Sequence, residues 1–399
     1  MAKIKIPYPP KTAYAIRHLL LVWAAALVLS GCGSIGLPVP AESKPALRVA
    51  RVIEIGIVPS PPPVQGRDGG YSTWFDGRSV WVFGDTLFDK AISRSDRFHS
   101  NSWSWTKDHD AEDGIGPFEQ TIGSDGLPLA LLPFTDQERA FNEAHAVNSC
   151  KTPPCGVRWA LWPGAVVTDP LNDRMLLFYE KIYVGADALD YTLFGSSVAV
   201  WKNPQETPRR LQFNPQHAHP TLMFDRNEPG FGDAAVVVGH RVYVYACHQQ
   251  DRMMPCRVAR VAWDHVFEKD HWETWTADGR WCRDLGQAQP LFNGNEILSV
   301  SYNPYLDCFV AVYSQPLSTA VMLRTAPQPE GPWSEPVKAF NAQRPVNQVG
   351  WVYDALEHPE YRQDNDPVLY ITYSRQTGDS TFEIRLVAVQ IERSADKRQ

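Results

Sequence analysis

Long helical periodicity is scarce in this sequence, and so are the glycine and cysteine patterns that announce a nucleotide or a metal. There is no P-loop, no Rossmann glycine turn between a strand and a helix, and no Gly-x-Ser-x-Gly elbow. That removes phosphate cradling, dinucleotide binding and the common serine-hydrolase arrangement, and no cofactor is called for. None of the seven cysteines forms a Cys-x-x-Cys pair, which argues against a zinc ribbon or a thioredoxin-like redox site. His217 and His219 share a loop but have no zinc-finger partners, so no metal is expected. Positive charge is also short: 38 Lys and Arg stand against 45 Asp and Glu, a formal charge of −7. A nucleic-acid partner needs a basic surface and is therefore excluded.

The first acidic residue is Glu42, so the start of the chain is purely basic, with Lys3, Lys5, Lys11 and Arg17. An apolar run follows over 19–29, short of the roughly 20 residues that a comfortable membrane span takes, and ends in Leu29-Ser30-Gly31-Cys32. A basic segment, a short apolar core and small residues at the cut read as an export signal over 1–31. The tetrad resembles the bacterial lipobox, which implies cleavage before Cys32 and acylation of its thiol. Residues 32–46 then read as a flexible tether, and the expected location is the bacterial cell envelope, periplasmic or cell-surface, held to a membrane by lipid at Cys32. Six cysteines remain, an even number suited to an oxidising compartment. Cys150 and Cys155 are close in sequence, Cys247 and Cys256 can meet across a hairpin, and Cys282 and Cys308 are left over.

What is abundant is turn-bounded β pattern and aromatic residues, 14 of them Trp. Short apolar runs alternate with Gly, Pro, Asn and Asp turns, the all-β signature. The runs recur as hairpin pairs: 71–75 with 79–83, 165–168 with 175–179, 234–238 with 242–246, 297–302 with 308–314, and 349–353 with 368–374. A further strand follows most pairs, such as 198–201, 257–262, 320–324 and 383–390. Five similar units point to radial repetition of small sheets, a five-bladed β-propeller over 47–393, with a β-sandwich as the alternative. One helix is expected after Thr135, where Thr135 and Glu138 fit a capping box, inside an insertion over 104–160.

Several stretches resemble the exported family known as domain of unknown function 4185 (DUF4185). These are Gly66-Arg67-Asp68-Gly69-Gly70-Tyr71-Ser72 with Trp81-Val82-Phe83-Gly84-Asp85-Thr86; Ser301-Tyr302-Asn303-Pro304-Tyr305; Arg324-Thr325-Ala326-Pro327; and His358-Pro359-Glu360. The resemblance implies a five-bladed propeller related to arabinanase and fructosidase folds, with some members acting as endo-D-arabinan hydrolases.

Glycoside hydrolysis usually takes two carboxyl groups. Asp76-Gly77 is a strong hairpin turn, and counting back from it sets Phe75 opposite Arg78, Thr73 opposite Val80 and Tyr71 opposite Val82. A continued register would set Asp68 opposite Asp85, unless Gly69, Gly70 or Gly84 introduces a bulge. Like charges so placed gain the fold nothing and raise one pKa. The starts of first strands and the ends of second strands share one mouth of a propeller, which adds Glu180, Asp233, His248 and Arg375 to that rim. The resemblance implies Asp68 as base or nucleophile, Glu180 or Asp233 as proton donor, and Asp85 as a tuning group. Arg67, Trp162, His248, His358 and Arg375 are candidates for binding substrate. Asn101, Asp108 and Asp110 are weaker mouth candidates. The expected activity is that of a monomeric, tethered hydrolase of an extracellular polysaccharide, with non-catalytic binding of glycan or protein as the alternative.

Overall fold

The computed structural model describes residues 46–394 except 90–97, 187–189, 346–349, 364 and 379–380. The export signal and Cys32 lie outside the described residues.

Five antiparallel sheets follow one another along the chain and form a five-bladed propeller. Blade one has Val64–Phe75 innermost, then Arg78–Phe88, then Ser102–Thr106. Blade two runs Arg158–Asp169, Arg174–Val184 and Tyr191–Trp201. Blade three begins Ala234–Val238, Arg241–Cys247 and Pro255–Ala262. Blade four is Leu298–Asn303, Cys308–Ser314, Ala320–Ala326 and Val337–Asn341. Blade five is Val352–Glu357, Val368–Gly378 and Thr381–Arg393, and its outermost strand is the N-terminal Leu47–Val58. The two ends of the propeller therefore pair with each other, which leaves no open ring edge to splay. Each inner strand packs against the next, and blade five packs back on blade one.

Apolar alternation in these strands fills the spaces between blades. Trp81, Trp103, Trp201, Trp263, Trp272 and Trp333 are among the largest fully buried side chains. With Trp105, half of the 14 tryptophans are therefore buried packing rather than exposed platform.

Three expectations need adjusting. The third strand of blade one, Ser102–Thr106, occupies the start of the expected insertion, so only the stretch beyond it is loop plus the helix Asp136–His145. The inner strand of blade five starts three residues later than expected, at Val352, with a bulge between Tyr353 and Leu356. Cys150–Cys155 and Cys247–Cys256 are disulfides, but Cys308 carries a buried free thiol, so the last two cysteines do not pair with each other.

The capping box forms as expected, with Thr135 and Glu138 satisfying each other's backbone N–H. Glu138 does more than cap. Its carboxylate takes Lys181 Nζ at 2.6 Å and Arg210 Nη1 at 2.6 Å, all three side chains being buried. This locks the helix onto blade two.

Candidate active site

The hairpin count holds from the turn to Tyr71: Phe75 faces Arg78, Thr73 faces Val80 and Tyr71 faces Val82. Asp76 and Gly77 supply the positive φ angles, 49° and 73°, that a tight hairpin turn with matching twist needs. Beyond Tyr71 the register slips twice, so that Gly69 faces Phe83 and Arg67 faces Thr86. Gly69 and Gly70 have φ of 74° and 121°, a backbone that other residues rarely adopt. Asp68 is thus not in strict register with Asp85. The bulge instead lays its carboxylate over Gly84: a Cβ built there would sit 2.7 Å from Asp68 Oδ1. Asp68 and Asp85 remain close enough for the Asp85 charge to act on Asp68.

Both open into a cavity of about 250 Å³ at one mouth of the ring. Its lining holds six carboxylates and no Lys, Arg or His. Every blade contributes: Asp68 and Asp85 from the first, Glu180 from the second, Asp233 from the third, Glu296 from the fourth and Asp354 from the fifth. Tyr71, Trp162, Tyr191 and Tyr353 supply the aromatic walls.

The electrostatics follow from that crowding. Burial, then the Asp85 charge, push Asp68 up to about 8, against hydrogen bonds that include Tyr353 Oη donating to Oδ2 at 2.8 Å. Burial also raises Asp85, but the Arg158 charge and Trp162 Nε1, donating to Oδ1 at 3.1 Å, hold it to about 6. Burial and the Glu296 charge raise Glu180 to about 8. Asp233 rises through burial and the Glu180 charge, although its Oδ2 accepts the Cys247 N–H at 2.5 Å. Asp354 rises through burial and the charges of Asp68 and Glu296. Near neutral pH the pocket therefore holds protons and negative charges side by side, as acid–base chemistry requires.

Asp68, Asp85, Glu180, Asp233 and Trp162 are gathered as the rim argument expects. Lys181 does not neutralise Glu180. Strand alternation turns it to the opposite face, toward Glu138.

Four expected substrate-binding residues are not in the pocket lining. Arg67 is buried between sheets, with its guanidinium 3.4 Å from the Phe83 ring centroid and Nη1 on Ser104. His248 ties down the segment before Asp233, with Nε2 on the Gly230 carbonyl at 3.1 Å. His358 is fully buried, bonded to Ser72 and Thr372 and stacked on Trp81; burial pushes it down to about 3, so it stays neutral. Arg375 is paired with Glu383. In each case a local partner, invisible in a single sequence, claims the side chain. Asn101 is likewise structural, bridging Leu161 and Leu132. Asp108 and Asp110 bond to backbone N–H groups of their own loop. His219 faces Lys181 Nζ rather than a metal partner set. Among the described residues, the trio of metal-ligand type gathered within 4.8 Å is His265, Glu268 and His271, none of which lines the pocket.

Sequence reasoning missed Glu296, Asp354 and Tyr353. The same rim rule would have reached Glu296, which lies two residues before the first strand of blade four. Asp354 lies in a strand at φ 54°, next to a bulge, and strand counting cannot find such a position.

Fold and site define a five-bladed propeller with an acidic pocket at one mouth. The chain belongs to the DUF4185 family, whose model, a domain of unknown function, matches residues 63–384. It is similar to a protein of Aspergillus versicolor called Notoamide biosynthesis cluster protein J', 24% identical over 324 residues that make up 76% of this chain and 79% of that one. Among solved structures, a hydrolase candidate from Bacteroides ovatus superposes with a TM-score of 0.50 at 16% identity, covering 84% of this chain and 87% of that one. A GH43_1 enzyme from Xanthomonas citri gives 0.46 at 13% identity, covering 84% and 89%. At these identities the likeness concerns the fold.

Proposed function

We propose that the protein is a glycoside hydrolase acting on an extracellular polysaccharide, an arabinan being the first candidate, and that it works at the cell envelope, tethered through Cys32. The observation that carries the reading is the convergence of six carboxylates, buried or half-buried, from five blades on one cavity without a cationic side chain in its lining. Such an arrangement costs the fold stability, and acid–base work at a glycosidic bond is the chemistry that uses it. The aromatic walls suit sugar faces.

Within that reading Asp68 and Asp85 divide the acid and base roles between them. The Arg158 charge and the Trp162 N–H draw the negative charge to Asp85, which attacks the anomeric carbon or activates water. Asp68 keeps the proton and gives it to the leaving oxygen; this departs from the assignment that the family resemblance implied, in which Asp68 is base or nucleophile, Glu180 or Asp233 the donor and Asp85 a tuning group. Glu180, Asp233 and Glu296, whose charges act on one another, hold sugar hydroxyls and balance charge as the bond breaks.

The test is release of new reducing ends from a glycan panel that includes arabinan and xylan. Asp68→Asn and Asp85→Asn should each lower the rate by about 10²–10⁴-fold with the fold intact. Binding of glycan by wild type with no new reducing ends would favour a non-catalytic propeller.

A further inference from the structure

A second depression of about 1050 Å³ lies against the carboxylate pocket and shares two of its walls, Tyr191 and Tyr353. Its chemistry differs from that of the pocket. No Asp or Glu lines it, and the charged side chain in its lining is the exposed Arg344; the rest of the polar lining is amide and hydroxyl, from residues such as Asn295, Gln315 and Gln376. Such groups hydrogen-bond to neutral hydroxyls without requiring a charge in return.

The groove also gathers exposed apolar side chains. Trp351 is 59% exposed, Tyr191 50% and Leu317 92%, and all three line it. Every other described tryptophan is buried or half-buried, so large apolar side chains gathered in water beside the pocket mark a contact surface. Leu317 adds a second oddity. It sits at φ 55° in the turn where Ser318 N–H reaches the Gln315 carbonyl, a conformation that favours glycine or asparagine. A leucine held there, pointing into solvent, gains nothing for the fold.

We infer that this groove is a distal subsite for the polysaccharide chain whose scissile bond lies in the carboxylate pocket, with Trp351 as the platform for a sugar ring and Leu317 as its apolar rim. The inference rests on the glycan reading of the pocket and extends it. The pocket has room for about one sugar ring, so a polymer entering it continues across Tyr191 and Tyr353 onto the neighbouring surface. Aromatic and apolar groups beside hydrogen-bonding groups that are mostly uncharged are what a neutral polyhydroxylated chain uses. The groove therefore sets a preference for longer chains, while the acid–base chemistry stays in the pocket.

The experiment is calorimetric titration of Asp68→Asn protein with linear arabino- and xylo-oligosaccharides, from disaccharide to octasaccharide. Affinity should rise by about tenfold or more with length. Adding Trp351→Ala, or separately Leu317→Gly, should flatten that rise. Leu317→Gly also suits the positive φ, so melting should hold or increase while length dependence falls. Length-independent affinity, no binding at any length, or a length dependence untouched by both substitutions would overturn the inference. Trp351-dependent binding with no cleavage by wild type removes the hydrolase reading and leaves the subsite. Cleavage with length dependence intact in both variants removes the subsite alone.

Discussion

Tyr353 donates its hydroxyl proton to Asp68 Oδ2 at 2.8 Å, joining the fifth blade to the first across the ring closure. That bond is one of the few influences favouring the charged form of Asp68; burial and Asp85 oppose it. Tyr353→Phe should therefore push the Asp68 pKa above its present value of about 8. The alkaline limb of the pH–rate profile should move upward, and kcat should fall about tenfold through lost positioning. Melting should change little, since a single hydrogen bond contributes about 1 kcal/mol. An unshifted alkaline limb would mean that Asp68 does not govern the rate.

Gly84 tests the bulge geometry. The atom nearest a Cβ at this position is Asp68 Oδ1 at 2.7 Å, with other atoms at 3.8 Å or beyond. Gly84→Ala should displace that carboxylate and little else. A displacement of this kind costs about 10² in rate, with melting nearly unchanged; near-wild-type turnover in Gly84→Ala would count against Asp68 as a reacting group.

The crowded pocket also predicts an unusual pH dependence of stability. Asp68 and Glu180 stay protonated up to about 8 in the folded chain, against ordinary values of 3.8 and 4.5. Over that window the folded state holds protons that the unfolded chain has released, so stability falls as pH rises. Buried His358 acts in the opposite sense, but only below its ordinary value of 6.5. Between about pH 6.5 and about pH 8 the carboxylates act unopposed by it, and the melting temperature should drop by several degrees. Asp68→Asn and Glu180→Gln should each raise melting at about pH 8 and reduce the slope. Scanning calorimetry across that range checks this, and a rising melting temperature would contradict it.

Much of this was legible in sequence. Five hairpin pairs announced the blades, because turn residues and period-2 runs are local signals. Asp68, Asp85, Glu180 and Asp233 followed from a topological rule about strand ends. The exact relation of Asp68 to Asp85 did not follow, because Gly69 and Gly70 allow either a regular ladder or a bulge and the choice is made by packing. Arg67, His248, His358 and Arg375 looked available because their partners lie in other segments; Thr372, which bonds His358, is an example. Asp354 was hidden by a left-handed backbone inside a strand.

Outside the pocket, Glu138 carries a separate structural prediction. Burial opposes its charge, but Arg210 and Lys181 overcome that and hold it at about 2, below the ordinary 4.5. Its contribution is present above the ordinary value and is lost as pH falls toward the depressed one. Glu138→Gln leaves two buried cations short of a partner and should destabilise the chain by about 3–5 kcal/mol, read as a lower denaturant midpoint. Catalysis should suffer only through lost folded protein.

The most direct measurement is mass spectrometry of arabinan digested in heavy-oxygen water. Hydrolysis through the Asp68–Asp85 pair predicts heavy oxygen in each newly formed reducing end, and about 10²–10⁴-fold slower release of that product by Asp85→Asn. Fragments that carry no label and have lost the elements of water, or labelled fragments formed equally by Asp85→Asn, would contradict the account.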